Sequence, residues 1–133
     1  MKNIVETAIE AGNFETLVAA VKAAGLVDVL SGNGPFTVFA PADDAFAKVP
    51  KDMLDATMAD KNKLAGILKY HVVSGKMMAK EIAGEKELQT LQGGSLKVDA
   101  SDGVEINGAK VVKADIECSN GVIHVIDSVL MPL

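Results

Sequence analysis

Apolar residues recur every three to four positions through the first half of the chain, and every second position through much of the last third. Ile4, Val5, Ala8 and Ile9 fall on one helical face. Asn3 precedes them and Glu6 follows three residues later, the spacing at which each side chain can bond the other's backbone N–H. Phe14, Leu17, Val18 and Val21 repeat the stripe, with Asn13 as the predicted cap and Gly25 as the stop. "LVDVLSGNG" predicts a short third helix running into a Gly-rich loop, and "FTVFA" predicts a strand with Phe36 and Val38 on one face and Thr37 and Phe39 on the other. From Lys51 to Tyr70 the pattern is helical again, with Pro50 suited to the first turn and Leu64, Ile67 and Leu68 on the apolar face. "YHVVSG" reads as a short strand and turn, and "MAKEIAG" as one further helical turn.

From Leu88 the period falls to two. "LQTLQ", "SLKVDA", "VEI", "AKVVKA" and "GVIHVIDSVL" are separated by Gly93-Gly94, Ser101-Asp102-Gly103, Asn107-Gly108 and Asn120-Gly121. Asn-Gly between short strands signals a hairpin, because a type I′ turn needs positive φ at both central residues. "VIHVIDSVL" is apolar on both faces and predicts a central strand. A mainly helical first half followed by an antiparallel meander is an α+β arrangement. Residues 1–133 form one domain, with no internal repeat or linker.

Composition narrows the function classes. A chain of 133 residues can bury about 68% of its unfolded surface, which allows one sizeable core. Its net charge is −5, and all 13 basic residues are lysine. That excludes a basic nucleic-acid footprint and the bidentate arginine clamp used on phosphates. Cys118 is the one cysteine, so an internal disulfide cannot form. No run reaches the length of a membrane span, so direct membrane insertion is not expected. No signal segment is recognisable at the start; export would require one that is absent from this chain.

Candidate chemistry is sparse. Asp43 and Asp44 sit at the predicted start of a short helix, "DDAFAK", where a carboxylate caps free N–H groups. Adjacent helical residues diverge by roughly 100°, so the pair does not form a proton-sharing dyad. His71 and His124 stand in apolar settings and read as core or half-buried histidines bonded to backbone; the alternative is a metal-dependent or enzymatic site built from both rings and a carboxylate. No Gly-x-Ser-x-Gly elbow or phosphate loop is present. Neither the setting of Cys118 nor the methionines Met53, Met58, Met77 and Met78 favours reactive or metal-binding chemistry over packing. With no catalytic constellation, the chain reads as a non-enzymatic binding or structural module, with no cofactor expected.

Three stretches in order resemble the motifs of the fasciclin domain family: "GPFTVFAPADDAF" (residues 34–46), "LKYHVVSG" with its Tyr-His pair, and "NGVIHVIDSVLMP" (residues 120–132). The resemblance spans essentially the whole chain and is closest to small, single-domain prokaryotic members. It implies helices wrapped around two short β-sheets in a wedge, with the first and last motifs supplying neighbouring core strands. It makes Gly121 important for backbone freedom and His124 for filling a fixed place. Family members commonly have threonine where this chain has Ala42, so Asp43 is expected to cap the following helix instead.

The resemblance also implies a function: cell adhesion by an extracellular, cell-surface or periplasmic domain that binds cell-surface or matrix proteins, integrins among them, or polysaccharide. In animal members recognition is attributed to an Asp-Ile pair ahead of the last motif and to the Tyr-His region. The matching residues here are Asp115 and Ile116, and Tyr70 and His71. A monomer is expected from the acidic charge and the absence of a coiled-coil or swapping element.

Overall fold

The computed structural model describes residues 3–12, 14–32, 35–91, 93–100 and 104–129. Helix α1 (Ile4–Ala11) begins with the capping box: Asn3 Oδ1 accepts the Glu6 N–H at 2.8 Å and the Glu6 carboxylate accepts the Asn3 N–H at 3.3 Å. Its stripe is narrower than the sequence implies: Ile4 and Ala8 are buried, whereas Ile9 is 50% exposed. Helices α2 (Glu15–Ala24) and α3 (Val27–Leu30) follow, then strand β1 (Phe36–Pro41) and the four-residue α4 (Asp43–Phe46). The long helical stretch is two helices, α5 (Lys51–Ala59) and α6 (Lys61–Tyr70). The break is at Asp60, whose backbone is extended and whose Oδ1 caps the Lys63 N–H at 3.2 Å. The remaining elements are β2 (Val72–Ser74), α7 (Ala79–Ala83), β3 (Glu87–Gln89), β4 (Ser95–Asp99), β5 (Glu105–Ile106), β6 (Ala109–Cys118) and β7 (Gly121–Ile126). The cap predicted at Asn13 and the turn at Ser101-Asp102-Gly103 lie outside the described residues.

The strands form one chain of hydrogen-bonded neighbours in the order β2-β1-β7-β6-β5-β4-β3, in place of the two short sheets expected. Strands β3 to β7 are each antiparallel to the next. β1 instead pairs parallel to β7, from Phe36 opposite Gly121 to Pro41 opposite Ile126, so the sheet is mixed. The two ends of the order approach each other: Val73 bridges to Thr90, and the Leu91 N–H donates to the Val72 carbonyl at 2.9 Å. β6 departs from even alternation, with register shifts between Val111 and Lys113 and between Lys113 and Ile116.

This curvature separates two apolar cores. The first lies between α1, α2, α3, α6 and the β1–β7 pair, and includes Ile4, Phe14, Leu17, Leu30, Val38, Leu68 and Ile123. The second is enclosed by the curled sheet and α7, and includes Phe39, Tyr70, Ile82, Leu96, Ile106 and Ile126. Successive residues of β1 therefore point into different cores. Both faces are buried, which explains a continuous apolar run where a one-sided strand would alternate.

The two Asn-Gly pairs have different roles. Asn107 and Gly108 have φ of 50° and 86°, both left-handed as a type I′ hairpin requires. Asn120-Gly121 is not the corresponding turn: Cys118 pairs with Gly121, so Ser119 and Asn120 form the connection and Gly121 already belongs to β7. Glycine is needed there for proximity rather than backbone freedom, because a Cβ would sit inside contact distance of the Phe36 backbone.

Gly121→Ala must push β1 off β7 and is expected to cost about 3 kcal/mol or more. Gly108→Ala, which strains only a left-handed turn residue, should cost roughly 1 kcal/mol. Urea denaturation of the two variants at neutral pH checks the order; equal losses would sink the close-approach account.

Candidate functional site

The polar side chains of the three motifs are positioned by β1, α4, the end of α6 and β7, and they bond mainly to backbone. Asn120, at the turn into β7, is buried. Its Nδ2 donates to the carbonyls of Leu30 (2.6 Å) and Gly32 (2.8 Å), while its Oδ1 accepts the Ile4 N–H (3.0 Å). One amide thus satisfies the end of α3 and a free N–H in the first turn of α1. The sequence reading missed this residue; its only signal was an Asn before Gly, read as turn chemistry.

A second group surrounds the segment between β2 and α7. Thr37, on β1, donates from Oγ1 to the Gly75 carbonyl (2.6 Å) and accepts the Met77 N–H (2.8 Å). His124, on β7, is fully buried and stacks on Phe39 with ring centroids 5.8 Å apart. Its Nε2 lies 2.7 Å from the Met77 carbonyl, and its Nδ1 accepts the Asp115 N–H at 3.2 Å. A carbonyl only accepts and an amide N–H only donates, so the ring is the neutral tautomer protonated on Nε2. Burial lowers its pKa; the bond to Met77 and the Asp115 carboxylate, 3.9 Å from Nδ1, oppose that shift without cancelling it.

Asp115 lies within the second shift in β6, between Lys113 and Ile116, with φ of 59°, a left-handed conformation that aspartate tolerates better than most residues. Its Oδ1 accepts the Ala79 N–H at 2.7 Å, at the start of α7, and its side chain stays 44% exposed. Ile116 is half-buried and packs against the first core.

Tyr70 and His71 are 5% and 2% exposed. Tyr70 donates from its hydroxyl to the Ser95 carbonyl and accepts from Asn107 Nδ2, each at 2.8 Å. That ties the end of α6 to β4 and to the type I′ hairpin. His71 Nδ1 donates to the Ile67 carbonyl at 2.8 Å, closing the last turn of α6, and burial lowers its pKa to about 4. Both side chains, expected as candidate contacts, face the interior in this structure.

His71 and His124 are not brought together as a shared site. One ring is bonded to α6 and the other to the segment before α7. Among the described residues, no group of three or more His, Cys, Asp or Glu side chains could hold a metal ion. Asp43 also departs from expectation. It caps α2 rather than its own helix, accepting the Thr16 N–H at 3.0 Å and, at 3.4 Å, the Glu15 N–H. The N-cap of α4 is Ala42, without a side-chain bond. Thiolate chemistry at Cys118 is disfavoured by burial, which raises its pKa.

Two outcomes follow from these contacts. Asn120→Ala strands buried carbonyls and an N–H; at about 1–3 kcal/mol for each buried group left unmet, a loss of roughly 3 kcal/mol is expected in urea denaturation. The histidines set a pH dependence. The unfolded chain takes up their protons near pH 6.5, but folded His71 resists until about pH 4. Stability is therefore full above pH 7 and falls on acidification through that window, by roughly 3 kcal/mol from His71 alone. Melting temperatures measured from pH 7.5 to 4.5 check this; a flat profile would contradict it.

Comparison with known proteins agrees with this arrangement. The Fasciclin domain family model matches residues 12–132. The uncharacterized protein sll1735 of Synechocystis sp. is 46% identical over 131 residues, covering 98% of each chain. The cell surface glycolipoprotein MPB83 of Mycobacterium bovis is 42% identical over 108 residues, covering 80% of this chain and 48% of that one. The FAS1 domain pair of the insect cell adhesion molecule fasciclin I superposes with a TM-score of 0.78 at 21% identity, covering 98% of this chain and 51% of that chain, a likeness of fold. With its first and last motifs paired strand to strand and matched along nearly its whole length, the chain belongs to the fasciclin domain family.

Proposed function

We propose that this chain is a non-enzymatic adhesion or surface-interaction domain, acting outside the cytoplasm on cell-surface or matrix proteins or on polysaccharide. The observation that carries this reading is the use of the motif side chains. Thr37, Asp43, His71, Asn120 and His124 each bond to backbone groups of the scaffold itself. Recognition would then fall to the outer surface. The names of two similar proteins, a cell-surface glycolipoprotein and a cell adhesion molecule, support the setting. Among the described residues, no helix is long and apolar enough to cross a membrane.

Of the four residues singled out by the family resemblance, Asp115 is the one that offers a polar group to solvent. We place the contact on the irregular stretch 112–115 of β6, where Val112 is 59% exposed and Lys113 and Asp115 are also exposed. A lone small patch binds weakly, so multivalent display would supply avidity without new contacts.

The test is binding of the purified domain, as a monomer and as an arrayed multimer, to panels of extracellular proteins and cell-surface glycans. Binding should strengthen by about 10²-fold or more on multimerisation. It should weaken at least tenfold with Val112→Glu, which lies outside the hydrogen-bond networks above. Uniform failure of the array would remove this reading.

A further inference from the structure

Residues 75–79 form a strap joining β2 to α7, and side chains from three strands hold its backbone. Thr37 of β1 takes the Gly75 carbonyl and the Met77 N–H; His124 of β7 takes the Met77 carbonyl; Asp115 of β6 takes the Ala79 N–H. Lys76 adds an exposed ion pair to Glu117 at 3.3 Å, a weak contribution at the surface. Beneath the strap, Thr37, Phe39 and His124 are fully buried, and Met77 packs against the second core. The strap's attachment therefore depends on a ring whose two nitrogens do opposite things, one donating and one accepting.

We propose that the strap is an acid-released latch: protonation of His124 detaches Met77 and Ala79 from the sheet and uncovers the apolar interior they close.

The geometry supplies the reason. A proton on Nδ1 places a donor against the Asp115 N–H, where an acceptor is needed. An acceptor lies 3.9 Å away in Asp115 Oδ1, and that atom already holds the Ala79 N–H. A ring that turns toward it competes with Ala79 for the carboxylate and, because the ring is rigid, withdraws Nε2 from the Met77 carbonyl. Once the strap lifts, the ring meets water and holds its proton without conflict. The charged group beside it is Asp115 from β6, and the strap that covers it carries Lys76, paired with Glu117. From β1 the Phe39 ring stacks on it and Thr37 bonds the same strap, and neither carries a charge. Burial holds the latched imidazole neutral, so the open form binds the proton more tightly and acid favours opening. The inference is independent of what the domain binds.

Hydrogen exchange followed by NMR tests it on the whole chain. Opening measured at the Met77 and Ala79 amides, corrected for intrinsic exchange, should rise up to tenfold per pH unit below about pH 6.5. The amides of Ile123 and Val125, in the β1–β7 pair, should stay more protected at each pH, and the His124 ring should titrate with strap opening. His124→Gln retains a donor for Met77 but cannot titrate; the ratio of strap to β7 exchange should then become independent of pH. Asp115→Asn keeps an acceptor for Ala79 and removes the charge. Both residues stay adjacent on paired strands when the strap lifts, so losing the carboxylate should move the onset to lower pH. Strap and β7 amides opening together, strap exchange that ignores pH, or an onset unmoved in Asp115→Asn would overturn the latch.

Discussion

The parallel pairing of β1 with β7 is the constraint on which the rest of this fold depends. It joins two segments about 85 residues apart in sequence, Phe36 to Gly121 through Pro41 to Ile126, and both strands are almost wholly buried. Parallel neighbours need a long crossover, and here the crossover comprises four helices, α4 to α7, the curled part of the sheet and the hairpin into β7. Its contacts are nonlocal, so loop-closure entropy must be overcome before the pairing contributes. Gly121 sets how closely the strands approach, and each strand then presents alternate residues to the two cores.

The polar residues of the motifs make sense in that setting. A strand buried on both faces leaves irregular backbone at its ends and flanks, and unmet backbone groups inside a core are costly. Asn120, Thr37 and His124 each bond two or more such groups from places the main chain alone does not reach. Asp43 and Asp115 do the same at helix starts contributed by other parts of the chain. Among the described residues, no buried side-chain nitrogen or oxygen is left without a partner. The motifs are thus packing and bonding instructions. Among the described residues, the histidines and carboxylates of the motifs accordingly make no cluster that could hold a metal ion.

The same arrangement divides the molecule mechanically. The β1–β7 pair and the first core are held by apolar contacts on both faces, which do not titrate. The strap over the second core is held by a few polar bonds, one through a histidine. The proposed outer contact surface and the proposed latch therefore depend on different interactions within one small domain.

Local chemistry was legible in the sequence. The capping box at Asn3 and Glu6, the stop at Gly25, the type I′ hairpin at Asn107-Gly108, and the central character of β7 all follow from propensities and periods set within a few residues. The break at Asp60, the single mixed sheet, the shifts in β6 and the partners of the Tyr70 hydroxyl were not legible. Each depends on what lies opposite in space. Asp43 illustrates the difference: its position at a helix start was readable, but the amides it caps belong to a helix some 27 residues earlier. The sequence by itself determined the elements and the family, since hydrogen bonds between near neighbours and the alternation of apolar faces are written along the chain. The tertiary structure alone decided which polar groups are interior and whose backbone they serve, because burial and long-range bonding are properties of the packed whole.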